Sequence, residues 1–263
     1  MTKQLITILL FIAGFGLSAN AQKMTPIFNG ENLENWEIHI GTALKGFDEL
    51  KAKANPEHVY SIVQKDGENL IRISGDVNAS IATKEAYENY HFRLEFKWGE
   101  KVYTTRNSGL LYHSFGPFGA GIGTWMSSIE CQLMHGNVGD AYMMADSYAD
   151  IQVKKADDNQ VFSAEGKILP FGNEQEGGKM ARKNQDNEKP TGEWNVIDLY
   201  CFGQKSVHVI NGVKVMECNN TGKIINGKVF PLTKGKIQIQ SEGSELFIRK
   251  AEIQKLESLP ENL

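Results

Sequence analysis

The sequence predicts an all-β protein, a sandwich or a barrel. Along the 263 residues, short stretches of alternating apolar and polar residues recur, and Gly, Asn and Asp residues that favour turns separate them. We count roughly nine to twelve such stretches and almost no segment with helical periodicity. No repeat of the length that propeller blades require is visible, which argues against a propeller. The elements below are taken in chain order.

The first third of the chain predicts a turn, a loop and a hairpin. Asn29-Gly30 lies between apolar residues and suits a tight turn. Residues 51–57 are polar and indicate a loop. Residues 59–63 and 69–74 predict two strands paired across a short turn.

Residues 81–98 hold the clearest strand of the chain. Residues 81–90 fit either a short helix or turn, or a strand that ends near Thr83. Residues 91–98 then alternate strictly, which is typical of an antiparallel strand with one buried face. The apolar face consists of Phe92, Leu94, Phe96 and Trp98, and the polar face of Arg93, Glu95 and Lys97.

Residues 106–140 are where we expect the chemistry of the protein. Two strands, residues 109–113 and 128–134, flank a loop that contains Gly116, Gly119, Gly121 and Gly123. Glu130 and Gln132 share one face of the second strand, about 7 Å apart, because strand side chains alternate. His113, His135 and Asp140 lie at the ends of the unit. The alternative is an ordinary solvated sheet face.

Residues 136–192 show little regular pattern. They are rich in Gly, Asn, Asp, Lys and Glu, and only residues 151–153 and 161–162 resemble strands. Unstructured connections of this length in a domain are usually functional or disordered. We therefore expect a long loop excursion over the sheet, forming one wall of a cleft.

Regular strands return after Glu193. Residues 194–202 predict one strand, and residues 206–217 predict a hairpin about Asn211-Gly212. Residues 235–242 alternate again, with Ile237 and Ile239 directed inward, and a last strand covers residues 246–256. The polar face of Gln238, Gln240 and Glu242 suits a concave surface for a hydroxyl-rich ligand, although a solvent-exposed face has the same composition.

The N-terminus resembles an export signal. Lys3, an apolar run from residue 5 to 17 and Ala19-Asn20-Ala21 match a signal peptide, so we expect cleavage after Ala21, a periplasmic or extracellular product and no membrane insertion. Loss of residues 1–21 removes Lys3 and changes the formal charge from −4 to −5. An acidic chain without a basic cluster is a poor nucleic-acid binder. Cys131, Cys201 and Cys218 are widely spaced and predicted to be buried free thiols.

Six segments, in order, resemble the DUF1080 family, also called the 3-keto-disaccharide hydrolase domain, between about residues 27 and 256. They are FNG with Leu33 and Trp36, NSGLLYH at 107–113, SIECQ at 128–132 with Gly139-Asp140, GEWN at 192–195, VHVING at 207–212 and GKIQIQSEG at 235–243. The resemblance implies one domain over residues 22–263, a concanavalin A-like jelly-roll sandwich of two antiparallel sheets. His135 stands where a carboxylate or amide was expected.

The resemblance also implies cleavage of glycosides oxidised at C3. A base removes the C2 proton, the glycosidic oxygen leaves with help from an acid, and water adds to the product. Glu130 and His113 are the predicted catalytic pair, with their roles unassigned. The sequence requires no cofactor and leaves the presence of a divalent cation open. The predicted substrate-binding residues are Asn107, Gln132, Asp140, His208, Gln240, Glu242, Arg249 and Trp125, of which Trp125 is a candidate for stacking on a sugar.

Two other functions fit the same residues. A conventional glycosidase would pair Glu130 with Glu242 or Glu95, at a carboxylate spacing of about 5–5.5 Å for retention or about 6.5–9.5 Å for inversion. A carbohydrate-binding sandwich without catalysis is the third reading, because this kind of fold supports many functions.

Overall fold

Two antiparallel sheets pack face to face in the computed structural model, which describes residues 23–263. The predicted signal peptide lies outside the described residues. We call the two layers the front sheet and the back sheet. The front sheet contains, from edge to edge, β2 (Trp36–Ile40), β5 (Ala79–Thr83), the first half of β19 (Lys234–Lys255), β8 (Gly109–Phe115), β9 (Ser127–Gln132), β10 (Ala141–Met144) and β14 (Met180–Ala181).

The back sheet holds the second half of β19 at its centre. It contains β3 (Tyr60–Lys65), β4 (Glu68–Ile73), β19, β7 (Tyr90–Asn107), β15 (Asn195–Phe202), β16 (Lys205–Ile210) and the first half of β17 (Val213–Ile225). Two-residue strands β1 (Thr25–Pro26) and β6 (Tyr87–Glu88) pair with opposite ends of β19. The all-β sandwich predicted from the sequence is confirmed.

One strand belongs to both sheets. In β19, Ile239 lies between strands of the front sheet, whereas Ile248 lies between Ile71 and Phe96 in the back sheet. The register shifts at residues 242–244 let the strand cross from one layer to the other. Gly243 has a φ of +96° at this point, and a Cβ there would collide with Thr104. Glycine is therefore required at the crossing.

The core lies between the sheets and follows the predicted alternation. Phe92, Leu94, Phe96 and Trp98 are all buried in it, as are Ile237 and Ile239. The three cysteines are buried free thiols, as expected. Trp194 is half-buried on the outer face of the back sheet, between Lys97 and Arg249.

The expected loop excursion over residues 136–192 is only partly correct, because 26 of these 57 residues lie in five strands. Strand β11 (Ser147–Ala156) pairs with β12 (Asn159–Phe162), β13 (Lys167–Gly172) and the second half of β17, which in turn pairs with β18 (Lys228–Pro231). Ala149, Ile151 and Val153 point into the core. Residues 151–153 and 161–162, which resembled strands in the sequence, lie in β11 and β12, whereas β10, β13 and β14 are at most six residues long and were not predicted.

Two short helices replace the loop expected near residues 51–57. They are α1 (Asp48–Lys53) and α2 (Pro56–Val59). The side chain of Asn55 accepts a hydrogen bond from the backbone N–H of His58, and Pro56 occupies the first turn, so α2 has a favourable start. At residues 81–90 the strand alternative is correct. Within residues 23–263, no helix has the length and apolar character needed to cross a bilayer.

Candidate active site

The outer face of the front sheet carries the candidate site. Glu130 on β9 lies opposite Leu111 on β8 and Tyr142 on β10. Paired residues on neighbouring strands share a face, and alternate residues of β9 point into the core, so Glu130 faces away from the core. The central strand contributes Gln240 to the same face. Glu130 and Gln240 are nevertheless buried, since neighbouring elements rise around them.

Gly109 makes room for the two buried polar side chains. A Cβ at this position would collide with the carboxyl group of Glu130 and with the side-chain amide of Gln240. Both groups therefore lie directly over the backbone of Gly109. Any larger residue would push the acid and the amide apart, so the glycine is a requirement of the site rather than of a turn.

A second carboxyl group enters from the crossing point of β19. Glu242 is paired with Asn107 at the end of β7, and the Asn107 side chain hydrogen-bonds to it. Burial raises the pKa of Glu242 to about 7, and the Asn107 hydrogen bond opposes only part of that rise. Glu242 keeps part of its surface exposed. At neutral pH this carboxyl is about half ionised.

Glu130 is held more strongly in its neutral form. Burial raises its pKa well above the usual range, and the charges of Glu242 and Asp140 raise it further. Within the described residues, no ion pair or hydrogen bond reaches its Oε1 atom. Two neighbouring carboxyl groups with different pKa values form the arrangement from which acid and base roles arise.

Several buried polar atoms converge here without partners. Within residues 23–263, Glu130 Oε1, Asn107 Oδ1 and both side-chain polar atoms of Gln240 have no hydrogen-bond partner. Buried polar atoms are nearly always paired in folded proteins, since an unmade bond costs about 1–3 kcal/mol. A cluster of unpartnered polar atoms is the arrangement expected of a site that binds a polar ligand.

Tyr142 belongs to the site but was missed by sequence reasoning. Burial raises the pKa of its hydroxyl, and the charges of Glu130 and Glu242 raise it further, so the phenol lies close to both acids. Its ring packs against a small apolar cluster of Leu111, Trp125 and Met144. The sequence signal was its two-residue offset from Asp140 in a stretch that we had taken for a loop.

The Gly-rich loop between β8 and β9 covers the neighbouring part of this face. Trp125 is only 1% exposed and donates from its ring nitrogen to the Ala79 carbonyl at 3.2 Å, so the predicted sugar-stacking role is wrong. The Met126 N–H donates to Gln238 Oε1, which seals that polar side chain beneath the loop. Phe118 stacks on His39. Trp125 supports Tyr142 from below instead of contacting solvent.

His113 is not near Glu130, contrary to our expectation. Its φ of +50° coincides with a register shift in β8, which turns the side chain from the outer face into the core. The ring lies 6.1 Å from that of Tyr90 and 5.4 Å from that of Tyr112, centroid to centroid, and both tyrosines are core residues. Burial lowers the pKa of His113 to about 4.

His208 is also a core residue, so its predicted place in the cleft is wrong. Its Nδ1 donates to the Gly139 carbonyl and its Nε2 accepts from the Tyr112 hydroxyl, both at 3.0 Å. Burial lowers its pKa to about 4 as well. The side chain faces inward because Leu199, its partner on β15, does the same.

Arg249 and Glu95 lie on the outer face of the back sheet, away from Glu130. The Arg249 guanidinium donates to Glu95 and stacks over Trp194 at 4.5 Å from the ring centroid. Lys250 also pairs with Glu95. Arg249 is therefore a structural ion-pair residue, and its predicted contact with substrate is wrong.

Three of the residues named from the sequence lie at the border of the site and have structural roles. They are Asp140, Gln132 and His135. Asp140 accepts from Arg182 at 2.7 Å and from the Lys183 N–H at 2.8 Å, although burial still raises its pKa. Gln132 Oε1 accepts two backbone N–H groups of the following turn. His135 is half exposed and bonded to Glu188. Of these three, only Asp140 influences the Glu130 pKa.

Most of the potential metal ligands in the site are oxygen atoms. Among residues 23–263, no three His, Cys, Asp or Glu side chains converge as metal ligands would. A hard cation would be coordinated by side-chain oxygen atoms, which here come from Glu130, Glu242, Gln240 and Asn107. The same oxygens suit the hydroxyl groups of a sugar.

Fold and site together define a concanavalin A-like β-sandwich with a paired-carboxyl site on one sheet. The chain belongs to the 3-keto-alpha-glucoside-1,2-lyase-like domain family, whose sequence model matches residues 23–254. The search of curated proteins returned no match.

Solved structures share the fold. A crystal structure of a predicted glycosyl hydrolase from Parabacteroides distasonis ATCC 8503 is 24% identical, with a TM-score of 0.50 over 89% of this chain and 100% of that chain. A second from the same organism is 20% identical, with a TM-score of 0.50 over 89% and 94%. The carbohydrate-binding module CBM66 from Bacillus subtilis is 4% identical, with a TM-score of 0.43 over 74% and 92%, too slight a likeness to bear on function.

Proposed function

We propose that this protein cleaves glycosides whose sugar carries a keto group at C3, by elimination followed by addition of water. One observation carries the proposal: Glu130 and Glu242 share a buried polar site, and burial raises the pKa of both carboxyl groups. Membership of the family supports the keto-sugar substrate. The predicted pair of Glu130 with His113 is replaced by Glu130 with Glu242.

Glu242 is the base in this proposal. A pKa of about 7 places enough of its carboxylate in the ionised form at neutral pH while keeping it basic. The C3 keto group makes the C2 proton acidic, since the carbanion is an enolate. Glu242 takes that proton, and the electron pair of the C2–H bond moves into the ring carbons and the keto oxygen.

Glu130 is the acid. Burial and the charges of Glu242 and Asp140 raise its pKa well above the usual range, which favours the protonated form that an acid needs. When the enolate collapses, the C1–O bond breaks and the leaving oxygen takes the Glu130 proton. The product has a C1=C2 double bond next to the ketone. Water then adds its oxygen to C1, Glu130 takes a proton back from it, and Glu242 returns a proton to C2, so both acids regain their starting states.

The enolate oxygen needs hydrogen-bond donors. The Tyr142 hydroxyl lies near both acids, and the Gln240 amide nitrogen is unpaired within residues 23–263. Donors fixed in advance in a site with little water stabilise a developing oxyanion by about 3–4 kcal/mol each.

A conventional two-carboxyl glycosidase is the second candidate, because Glu130 and Glu242 share one site. Glu95 cannot take part, since it lies on the other sheet in ion pairs with Arg249 and Lys250. A retaining enzyme also needs an ionised nucleophile. Neither acid has a cationic partner within the described residues, and both pKa values are raised, which favours the elimination route.

A paired assay tests the proposal. The purified protein is given an aryl glucoside and its 3-keto form, with and without chelator. We expect turnover of the 3-keto glucoside alone, and a loss of at least about a hundredfold in Glu130→Gln with the fold retained. Glu165→Gln, on the surface, is the matched control. Turnover of the unoxidised glucoside supports the conventional glycosidase, and binding without turnover supports a carbohydrate-binding protein.

We also propose that the protein is exported, because the residues before Gln22 resemble a signal peptide. Mass spectrometry of the protein from the culture fluid or periplasm should find a chain that begins at Gln22. A cytoplasmic chain that retains Met1 would contradict it.

A further inference from the structure

A second pocket lies where the back sheet ends. It has a volume of about 310 Å³ and is lined by residues from three separate segments. Lys65 comes from the tip of the β3–β4 hairpin, Lys97 and Arg106 come from β7, and Thr191 and Gly192 close the other side. The volume is at the lower end of the range for small-molecule sites.

Three cations line this pocket against one acid. No ion pair formed among residues 23–263 includes Lys65, Lys97 or Arg106. The single acidic residue in the lining is Glu100, which is exposed. The pocket therefore has a local excess of two positive charges, in a protein whose net charge is −4.

Aromatic rings hold the two lysines in place. The Lys65 ammonium lies 4.6 Å from the centroid of the Phe247 ring, and that of Lys97 lies 4.7 Å from the centroid of the Trp194 ring. A cation over a ring face is attracted by the ring quadrupole, by about 0.5–1 kcal/mol at an exposed site. These contacts restrict the side chains without neutralising them, so both charges stay available.

Arg106 supplies the most specific observation. Its Nε is buried and has no acceptor among residues 23–263. A guanidinium N–H that is removed from water and left unbonded is costly, and the group matches carboxylate and sulfate geometry through two parallel hydrogen bonds. The missing partner of Arg106 is therefore expected to be an oxyanion.

We propose that this pocket binds the carboxylate or sulfate group of an acidic glycan. The anion accepts from Arg106 and is flanked by the ammonium groups of Lys65 and Lys97. The choice of a glycan as carrier rests on the proposed function, whereas the preference for an oxyanion rests on the pocket alone.

The pocket is separate from the candidate active site. Arg106 and Asn107 are adjacent on β7, and adjacent strand residues point to opposite sides. Asn107 contacts Glu242 in the active site, while Arg106 lines the cationic pocket. A glycan bound by its charged group would therefore be held beside the site without occupying it.

Calorimetric titration of the whole protein tests the proposal with three probes: sodium sulfate, tri-galacturonate and the neutral trisaccharide maltotriose. We expect saturable binding of the two anions and none of maltotriose at this pocket. Lys97→Gln and Arg106→Lys should each weaken anion binding at least tenfold. Lys155→Gln, an exposed lysine on β11, is the matched control and should bind as the wild type does. Thermal unfolding checks that each variant is folded.

The outcomes separate the two proposals. Glu130→Gln should retain full anion binding even when turnover is lost, so failure of the proposed catalysis leaves this test intact. Binding of sulfate without tri-galacturonate would support the oxyanion pocket and overturn the glycan carrier. If neither anion binds, or if Lys155→Gln weakens binding as much as Lys97→Gln, the pocket is not an anion site. Should Arg106→Lys fail to fold, Lys97→Gln alone decides.

Discussion

Replacement of His113 by Asn separates a catalytic histidine from a buried structural one. Position 113 has a φ of +50°, and Asn is among the few residues that tolerate this conformation. Asn cannot titrate near neutral pH. The variant therefore removes the proton-binding group while keeping the backbone conformation that turns the side chain into the core.

The magnitude follows from the pKa of His113, which burial lowers to about 4 from an ordinary value of 6.5. The folded state favours the neutral His113 ring. The stability that this preference gives the folded protein is fully present above pH 6.5 and is lost as the pH falls through 4. The full loss is about 3.4 kcal/mol, at about 1.4 kcal/mol for each pKa unit. By pH 5, about 2 kcal/mol of it is gone.

Urea unfolding at pH 7 and pH 5 measures this contribution of His113 to the free energy of unfolding. Between the two, the unfolding free energy of the wild type should fall by about 2 kcal/mol more than that of His113→Asn, because groups common to both proteins cancel. Turnover at pH 7 should stay within about threefold of the wild type. Equal pH dependence would show that the folded pKa of His113 is not lowered. A folded variant without turnover would return His113 to the catalytic pair.

Three further predictions concern the front-sheet site. Glu242→Gln should abolish turnover. Between pH 5 and pH 8 its unfolding free energy in urea should rise by about 2.5 kcal/mol relative to that of the wild type, because the raised pKa of about 7 makes ionisation of Glu242 destabilising. A difference between the two proteins that does not change with pH would contradict this. Tyr142→Phe should lower kcat about tenfold or more with little change in KM, and an unaltered kcat would remove Tyr142 from oxyanion stabilisation. Gly109→Ala should be folded, as judged by circular dichroism. Its kcat/KM should nevertheless fall at least tenfold, because the new methyl group displaces Glu130 and Gln240. Wild-type activity in this variant would show that the positions of these two side chains are not critical.

Alternation along strands predicted the fold well and the site in part. The apolar residues of β7 and β19 repeat every second position, so their burial could be read from the sequence. The same rule placed Glu130 on the polar face of its strand and Gln240 on the polar face of another. It failed at His113, because a bulge reverses the direction of a side chain and no residue type in that segment announces the bulge.

Other features of the site depend on contacts between residues that are far apart in the chain. Glu130 and Glu242 are far apart in the chain, and only the pairing of β19 with β8 and β7 brings their strands together. Tyr142 lies on a four-residue strand among polar turns, too short for periodicity to show. Trp125 sits in a Gly-rich loop that suggests exposure, whereas its burial depends on contacts with Leu111 and Met144 from other strands.

The shared strand β19 also determines how the protein unfolds. Each layer has part of β19 near its middle, so neither layer can unravel without removing an interior strand of the other. The two layers should therefore melt as one cooperative unit instead of as separable halves. Strand β19 is also the last of the described strands, so the central pairings of both sheets form only after residues 234–255 have been synthesised. Folding should be slow, as it is for topologies dominated by distant pairings, and a chain truncated before Lys234 should fail to form either layer.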